Sequence, residues 1–309
     1  MEILIQILLL ALGFVMLIKG ADWFVDGASG IATKFGIPQL VIGLTIVAMG
    51  TSSPEAAVSI SAAINGNADI TIGNIVGSNI LNIFIILGIS AVITTLAVAK
   101  STMKYETPLM IAITALLLIL GLDGKIGLID GIIMLAAFAG YMMYLFKMAK
   151  DNMDEQADEP KKDIKIVKAI IFTIIGLALI VIGSNVTVDA ATKIAEAFGV
   201  SERFIGLTIV ALGTSLPELF TSVSAARKGN ADIAIGNIVG SNIFNILFVV
   251  GVSAIIVPVP FASNFIFDTI VAIIAAVMLL LCCIKTQSLK RWAGILMLIS
   301  YAVYFVMIL

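Results

Sequence analysis

The sequence contains no histidine and few charged residues. Only 12% of its 309 residues are charged and 61% are hydrophobic, whereas a soluble domain carries about 25% charged residues. This composition excludes a soluble domain and indicates an integral membrane protein. The absence of histidine removes the commonest transition-metal ligand and the usual proton relay, which disfavours a zinc or iron transporter. The two cysteines are adjacent, at Cys282 and Cys283, and form neither a disulfide framework nor a spaced metal site.

Apolar segments of about 20 residues recur along the whole chain, and each is long enough to cross a bilayer as a helix. The sequence therefore predicts an all-α integral membrane protein with ten transmembrane helices, at residues 3–26, 39–64, 70–97, 105–121, 127–148, 165–190, 202–226, 233–257, 265–284 and 291–308. The charged segment 150–164 contains Pro160 and is predicted to link a first five-helix unit, 1–149, to a second, 165–309.

The two units are copies of each other. With an offset of 163 positions, the chain aligns without a gap from Ile18 to Ala91. In Ile42–Glu55, 12 of 14 residues are identical to their counterparts, and in Gly66–Ile83, 16 of 18 are. Because each unit has an odd number of spans, the second enters the membrane from the opposite side, which predicts two inverted five-helix repeats.

Basic residues predict the orientation. If the 150–164 linker is cytoplasmic, the loops on that side hold 14 of the 18 lysines and arginines, and the opposite side holds three. Positive residues concentrate on the cytoplasmic side, so we expect a multi-pass protein of the cell membrane with both termini outside. The polar residues Asp22, Asp26, Asn185 and Asp189 are expected at interfaces or helix ends, with a gating role as the alternative.

The motif GTSSPE, residues 50–55, is repeated as GTSLPE, residues 213–218. Pro54 has no backbone N–H, so the helix is predicted to break there, near the midplane, and to free carbonyl oxygens beside hydroxyls and a carboxylate. Ser52 and Glu55 could instead form only a helix cap. Two buried glutamates, Glu55 and Glu218, favour an ion site, because an ionisable residue at the bilayer centre costs about 2.5–3.5 kcal/mol.

A second motif, GNIVGSNILN at residues 73–82, is repeated as GNIVGSNIFN at residues 236–245. Asn74, Ser78 and Asn82 recur every four residues and so share one helix face. Gly73 and Gly77 form a small-residue seam for close helix packing. All the ligands offered are hard oxygens, which suit sodium, calcium or magnesium. Calcium fits best, because it accepts 6–8 oxygens in flexible geometry and two carboxylates balance its charge.

In these two paired motifs the chain resembles the sodium/calcium exchangers of the cation/calcium antiporter superfamily, and specifically its prokaryotic ten-span members, over essentially its whole length. The resemblance implies exchange of about three sodium ions for one calcium by alternating access, with sodium and calcium as substrates, no cofactor, no nucleic acid, and a functional monomer in the lipid bilayer. It implies these ligands: Glu55 and Glu218 at the centre; Thr51, Thr214, Ser52, Ser215, Ser78, Ser241, Asn82 and Asn245 around them; and the carbonyls of Ala48 and Ala211.

One departure concerns Asn82 and Asn245, because many members of that family carry an aspartate at one of these positions. The site here has one potential charge fewer, so potassium co-transport is less expected and the sodium count stays open. A proton/calcium antiporter using the same glutamates is the main alternative, although the chain lacks a histidine relay. A cation channel needs no inverted repeat, and an intramembrane protease lacks a serine–histidine dyad and an aspartate pair.

Overall fold

The protein is helical throughout almost all of the chain that the structure, a computed structural model, describes: residues 2–155, 165–199 and 211–308. The helices are α1 Glu2–Phe35, α2 Gln39–Thr51, α3 Ser53–Ile64, α4 Ile70–Ile93, α5 Thr102–Asp123, α6 Leu128–Glu155, α7 Ile166–Ala197, α8 Ala211–Thr214, α9 Leu216–Arg227, α10 Ala231–Ile256, α11 Asn264–Cys283 and α12 Arg291–Ile308. In these ranges eight helices are long and apolar enough to cross a membrane, or nine if the bent pair α2–α3 counts as one span.

This count agrees with the predicted class, an all-α membrane protein. The predicted span at residues 202–226 falls partly outside the described residues, which resume at Ala211. The first residues of the predicted linker 150–164 are helical, since α6 continues to Glu155, and residues 156–164 lie outside the described residues. The stretch Lys150–Glu155 contains neither proline nor glycine, so no residue in it interrupts the helix.

The helices α4 and α10 form the centre of the bundle. In their most apolar windows, 78% and 83% of the residues are buried, compared with 17% in α1 and 28% in α7. Side chains that are enclosed on all sides pack against other helices, whereas exposed apolar ones suit contact with lipid. The two helices that carry the asparagine motif therefore lie innermost, and the long helices α1 and α7 lie at the periphery.

The helices α1 and α7 pack closely in antiparallel orientation. Gly20 faces Gly176, and Gly27 faces Thr173 and Ala169. Residue numbers therefore increase along α1 as they decrease along the facing part of α7. A Cβ on Gly20 would lie 2.9 Å from the Gly176 carbonyl oxygen. The close approach of these backbones therefore requires glycine. These two helices define two ends of the bundle: the linker face, where α6 ends and α7 begins, and the cavity face, where α7 ends.

Four two-residue strands join the two halves of the chain in antiparallel pairs: β1 Leu96–Ala97 with β4 Ser288–Leu289, and β2 Lys125–Ile126 with β3 Val259–Pro260. Leu96 is opposite Leu289, and Ile126 is opposite Val259. Since both members of one pair are 163 positions from members of the other, the repeat converts each pairing into the other. These strands also satisfy backbone groups where the helices end.

Candidate ion-binding site

The GTSSPE motif contains a break in the helix. α2 ends at Thr51, α3 begins at Ser53, and the two helices are bent by 49°. Pro54 lies in the first turn of α3, and the Ser53 hydroxyl donates a hydrogen bond to the freed Gly50 carbonyl at 2.7 Å. The break predicted from Pro54 is therefore present, two residues earlier than the proline itself. The second motif has the equivalent break between α8 and α9, at Ser215.

The serines at the two breaks do not cap their own helices. Neither Ser52 nor Ser215 makes a side-chain capping hydrogen bond. Each donates instead to the glutamate of the other motif: Ser52 Oγ to Glu218 Oε1 at 2.7 Å, and Ser215 Oγ to Glu55 Oε1 at 3.4 Å. These crossed bonds hold the two motifs together, so the helix-cap interpretation of GTSSPE does not account for its serine.

The two carboxyl groups are fully enclosed. Glu55 is 1% exposed and Glu218 is 0% exposed. The second oxygen of each, Oε2, has no hydrogen-bond partner among the described residues. Burying two negative charges without compensation is costly, and removing water strengthens their mutual repulsion. The arrangement therefore favours a bound positive charge between or beside the two carboxylates.

Asn79 and Asn242 join α4 to α10. The Asn79 side-chain amide donates to the Asn242 carbonyl at 3.2 Å, and the Asn242 amide donates to the Asn79 carbonyl at 3.1 Å. The four-residue period of Asn74, Ser78 and Asn82 does not include these residues, so the motif did not predict their role. The available signal was the pair SN, residues 78–79, which recurs unchanged in the second copy.

These two asparagines orient the predicted site residues Asn82 and Asn245. Asn82 Nδ2 donates to Asn242 Oδ1 at 2.9 Å, and Asn245 Nδ2 donates to Asn79 Oδ1 at 3.1 Å. The Oδ1 atoms of Asn82 and Asn245 are buried without a partner among the described residues. Because the amide nitrogens are fixed as donors, two amide oxygens remain as buried acceptors, which is the chemistry that a hard cation requires.

Other predicted residues surround the first break. Thr51 Oγ1 donates to Asn237 Oδ1 at 2.9 Å, and it lies 3.3 Å from the Ala48 carbonyl oxygen. Ser241 Oγ donates to the same carbonyl at 3.4 Å. Thr214, the counterpart of Thr51, has a hydroxyl without a partner among the described residues. The two halves of the site therefore have the same residues but different hydrogen bonding.

The last two predicted residues lie apart from these contacts. Ser78 is 3% exposed and lines a lateral cavity of about 300 Å³ together with Asn74, Asp268 and Tyr304. Ala211 is the first described residue of α8, and its surroundings lie outside the described part of the chain. Ten of the twelve predicted residues thus take part in the hydrogen bonds described above or carry buried oxygens without a partner among the described residues. Ser78 instead lines this cavity.

A cavity of about 630 Å³ approaches the site from the cavity face. It is lined by Ser53 and Pro54 at the first break, by Thr214 before the second, and by Asn185 and Asp189 of α7. Val58, one turn beyond Glu55, also lines it and is 44% exposed, whereas its counterpart Thr221 is 0% exposed. Among the described residues, the site is therefore approached from the cavity face in this conformation. Asn185 and Asp189 are cavity-lining residues, consistent with the gating alternative for them.

The linker face is closed by an ionic cluster. Lys228 Nζ lies 2.7 Å from Asp26 Oδ1, 2.7 Å from the Asp22 carbonyl oxygen and 3.7 Å from Asp22 Oδ1. Ser224 Oγ donates to Asp22 Oδ1 at 2.7 Å. The counterpart of Lys228 on the other side is Asn65, whose side-chain amide donates to Ser61 at 3.3 Å. The closing contact on the linker face thus differs in charge from its counterpart.

The ligands available at the centre are all oxygen atoms. Among the described residues, no group of three histidine, cysteine, aspartate or glutamate side chains could hold a metal ion. Amide, hydroxyl and carbonyl oxygens must therefore complete any coordination by Glu55 and Glu218. Such a set selects hard cations such as sodium and calcium over soft transition metals.

Comparison with known proteins agrees with this chemistry. Residues 5–147 and 168–309 match the family model described as sodium/calcium exchanger protein. The chain is 35% identical to the inner membrane protein YrbG of Escherichia coli, over 97% of this chain and 95% of that protein. It is 33% identical to the sodium/calcium exchanger MaX1 of Methanosarcina acetivorans, over 99% of both.

A solved structure of the sodium-calcium exchanger NCX_Mj, soaked with sodium and strontium, superimposes on this fold with a TM-score of 0.87. The two proteins are 34% identical, and the match covers 98% of this chain and 99% of that one. The sequence family and the fold thus agree over nearly the whole length, and both identify a membrane antiporter rather than an enzyme. This chain belongs to the sodium/calcium exchanger family.

Proposed function

We propose that the protein exchanges sodium for calcium across the cell membrane by alternating access, with about three sodium ions per calcium. The crossed hydrogen bonds between each break serine and the opposite glutamate carry this proposal. They bring Glu55 and Glu218 into one buried site, with Oε2 of each carboxylate free of partners among the described residues. A divalent cation would compensate both charges, whereas sodium ions would use the carboxylates together with the flanking amides and hydroxyls.

In the proposed architecture, ten spans form two inverted five-helix repeats, 1–149 and 165–309, joined by the linker 150–164. The antiparallel packing of α1 and α7, which are counterparts in the repeat, supports the inversion. So does the reciprocal bonding of Asn79 and Asn242, which are 163 positions apart. In such a repeat the two halves exchange conformations, and the site is exposed first on one face and then on the other.

Alternating access is further supported by the asymmetry of the two halves. Exposed Val58 and buried Thr221 are counterparts. So are Thr51, which is hydrogen-bonded, and Thr214, whose hydroxyl has no partner among the described residues. In the opposite state these roles would be reversed. We place both termini outside and the linker in the cytoplasm, following the distribution of basic residues. The cavity then faces outward. The predicted ligands Ser78, Ser241, Ala48 and Ala211 would line the sodium positions, and one chain would suffice for transport.

The test is calcium uptake and current in proteoliposomes with an outward sodium gradient. A ratio of three to one moves one net charge per cycle, worth about 2.3 kcal/mol per 100 mV, so an inside-negative potential should change the rate. Sodium-driven uptake without current would refute this ratio in favour of two to one. Uptake that follows a pH gradient without sodium would instead indicate the proton/calcium antiporter, which two buried carboxyl groups could also serve.

Glu55→Gln and Glu218→Gln should each abolish calcium uptake, because a neutral amide cannot compensate a buried dication. Glu196→Gln is a matched control, since Glu196 lies near the end of α7 on the cavity face, away from the two breaks. Near-normal sodium-dependent uptake by either central variant, at equal protein in the vesicles, would refute the paired-carboxylate mechanism.

A further inference from the structure

Glu106 is a third buried acid, and it lies outside the central site. It is 0% exposed, and it closes the π turn Thr102–Glu106 that begins α5. Its counterpart in the other repeat is Thr269, which bonds to the carbonyl of its own helix at Phe265. The residues of the central site are duplicated, but this acid is not. Glu106 is therefore not explained by the repeat that builds the central site.

The surroundings of Glu106 are hydroxyl groups. The Tyr144 hydroxyl of α6 donates to Glu106 Oε1. Three further oxygens are buried without a hydrogen-bond partner among the described residues: Glu106 Oε2, Thr102 Oγ1 and Tyr141 Oη. Thr102 and Tyr141 are 1% and 4% exposed. Thr102 is one turn before Glu106, and Tyr141 is one turn before Tyr144, so the four side chains converge from two adjacent helices.

We propose that this cluster, Thr102, Glu106, Tyr141 and Tyr144, is a second cation site that takes one monovalent ion, sodium in particular. A carboxylate buried at this depth requires a positive partner, and no lysine or arginine pairs with Glu106 in the part of the chain that the structure describes. A proton on Glu106 Oε2 would make one hydrogen bond, to either Thr102 or Tyr141, whereas a cation could take all three of these oxygens, which lack a partner among the described residues, as ligands. One carboxylate compensates a single charge, which favours sodium over calcium.

The linker face gives access to this cluster. A crevice of about 430 Å³ lies between two groups of residues. One group is at the start of α5, with Ser101 just before the helix and Tyr105 in its first turn, and the other is on α6, with Tyr144, Lys147 and Asp151. The cluster is thus reached from the end of the bundle opposite the main cavity, and its sodium would come from the side that holds the linker. The π turn also leaves backbone carbonyls outside the regular helical pattern, as at many binding sites.

The test uses the full-length chain in nanodiscs with both central glutamates changed to glutamine, so that sodium bound at the centre does not contribute. Sodium chloride replaces choline chloride at constant ionic strength while tyrosine absorbance and the thermal midpoint are followed. Three of the five tyrosines, Tyr105, Tyr141 and Tyr144, lie at this cluster or its crevice. We expect a saturable sodium-dependent change in both signals, which is lost in Glu106→Gln.

Tyr141→Phe removes one buried oxygen without changing the packing, so the half-saturating sodium concentration should rise about tenfold. Tyr105→Phe is the matched control, since Tyr105 is 50% exposed, and it should leave that concentration unchanged. The proposal is overturned if sodium and choline give the same signals, if the response survives Glu106→Gln, or if Tyr141→Phe binds sodium as the parent does. Because calcium flux is not measured here, this result is independent of the proposed exchange.

Discussion

Replacement of Lys228 by asparagine should open the linker face more often. Asn65 is the residue at the counterpart position, so the change makes the two faces alike. The Lys228 ammonium group makes two contacts of 2.7 Å, to Asp26 Oδ1 and the Asp22 carbonyl oxygen. The lysine side chain is 28% exposed and that of Asp26 is 52% exposed, so water screens the pair.

Partly exposed ion pairs contribute about 0.2–1 kcal/mol each. The two ion pairs of Lys228, with Asp26 Oδ1 at 2.7 Å and with Asp22 Oδ1 at 3.7 Å, together stabilise the closed linker face by about 1 kcal/mol. This corresponds to about a fivefold change in the equilibrium between the two access states. The effect is modest because the charges stay hydrated, yet it is large enough to measure. Lys228→Asn should therefore increase the population of the linker-open state about fivefold.

Thiol labelling measures this population. Thr221 is 0% exposed, whereas its counterpart Val58 lines the open cavity. In a chain whose two native cysteines are replaced by alanine, Thr221→Cys should label slowly, and about five times faster after Lys228→Asn. Lys285→Asn is the matched control, an exposed lysine that makes no ion pair in the described ranges. Equal labelling rates with Lys228→Asn and Lys285→Asn would refute the reasoning.

Three variants test helix packing at the centre. Gly240→Ala should lower the free energy of unfolding by about 1–3 kcal/mol, and with it the thermal midpoint. The reason is that its Cβ would lie 2.7 Å from the Leu44 carbonyl oxygen. Gly77→Ala, at the counterpart position, meets no described atom within 4 Å and should keep the midpoint. It should slow transport, because under the proposed alternating access Gly77 would take the tight position when the two halves exchange conformations. Asn242→Ala should lower the free energy of unfolding by about 1 kcal/mol. It should also weaken the dependence of calcium uptake on sodium, because it removes the acceptor that orients Asn82.

Calcium uptake and thermal unfolding on the same preparations check these variants. Equal midpoints for Gly240→Ala and Gly77→Ala would contradict the asymmetry of the two halves. Normal transport by Gly77→Ala would argue against an exchange of their conformations. A normal sodium response in Asn242→Ala would mean that Asn82 keeps its orientation without this contact.

The sequence by itself determined the membrane class, the repeat and the position of the helix breaks. Each depends on residue identities alone: the class on composition, the repeat on identical residues at an offset of 163, and the first break on Pro54. Local signals also pointed to Glu55 and Glu218, because a carboxylate in an apolar run requires a reason. The family implied by the two paired motifs is likewise the family to which the chain belongs.

Only the tertiary structure decided which residues meet. Ser52 could have capped its own helix, and its choice of Glu218, 166 positions away, depends on how the two halves pack. The role of Asn79 and Asn242 was not predicted, because each of them bonds to the other across the bundle. The open cavity face and closed linker face could not be predicted either. Nearly identical motifs carry no preference for one face, and the asymmetry arises from the conformation in which the two halves are held.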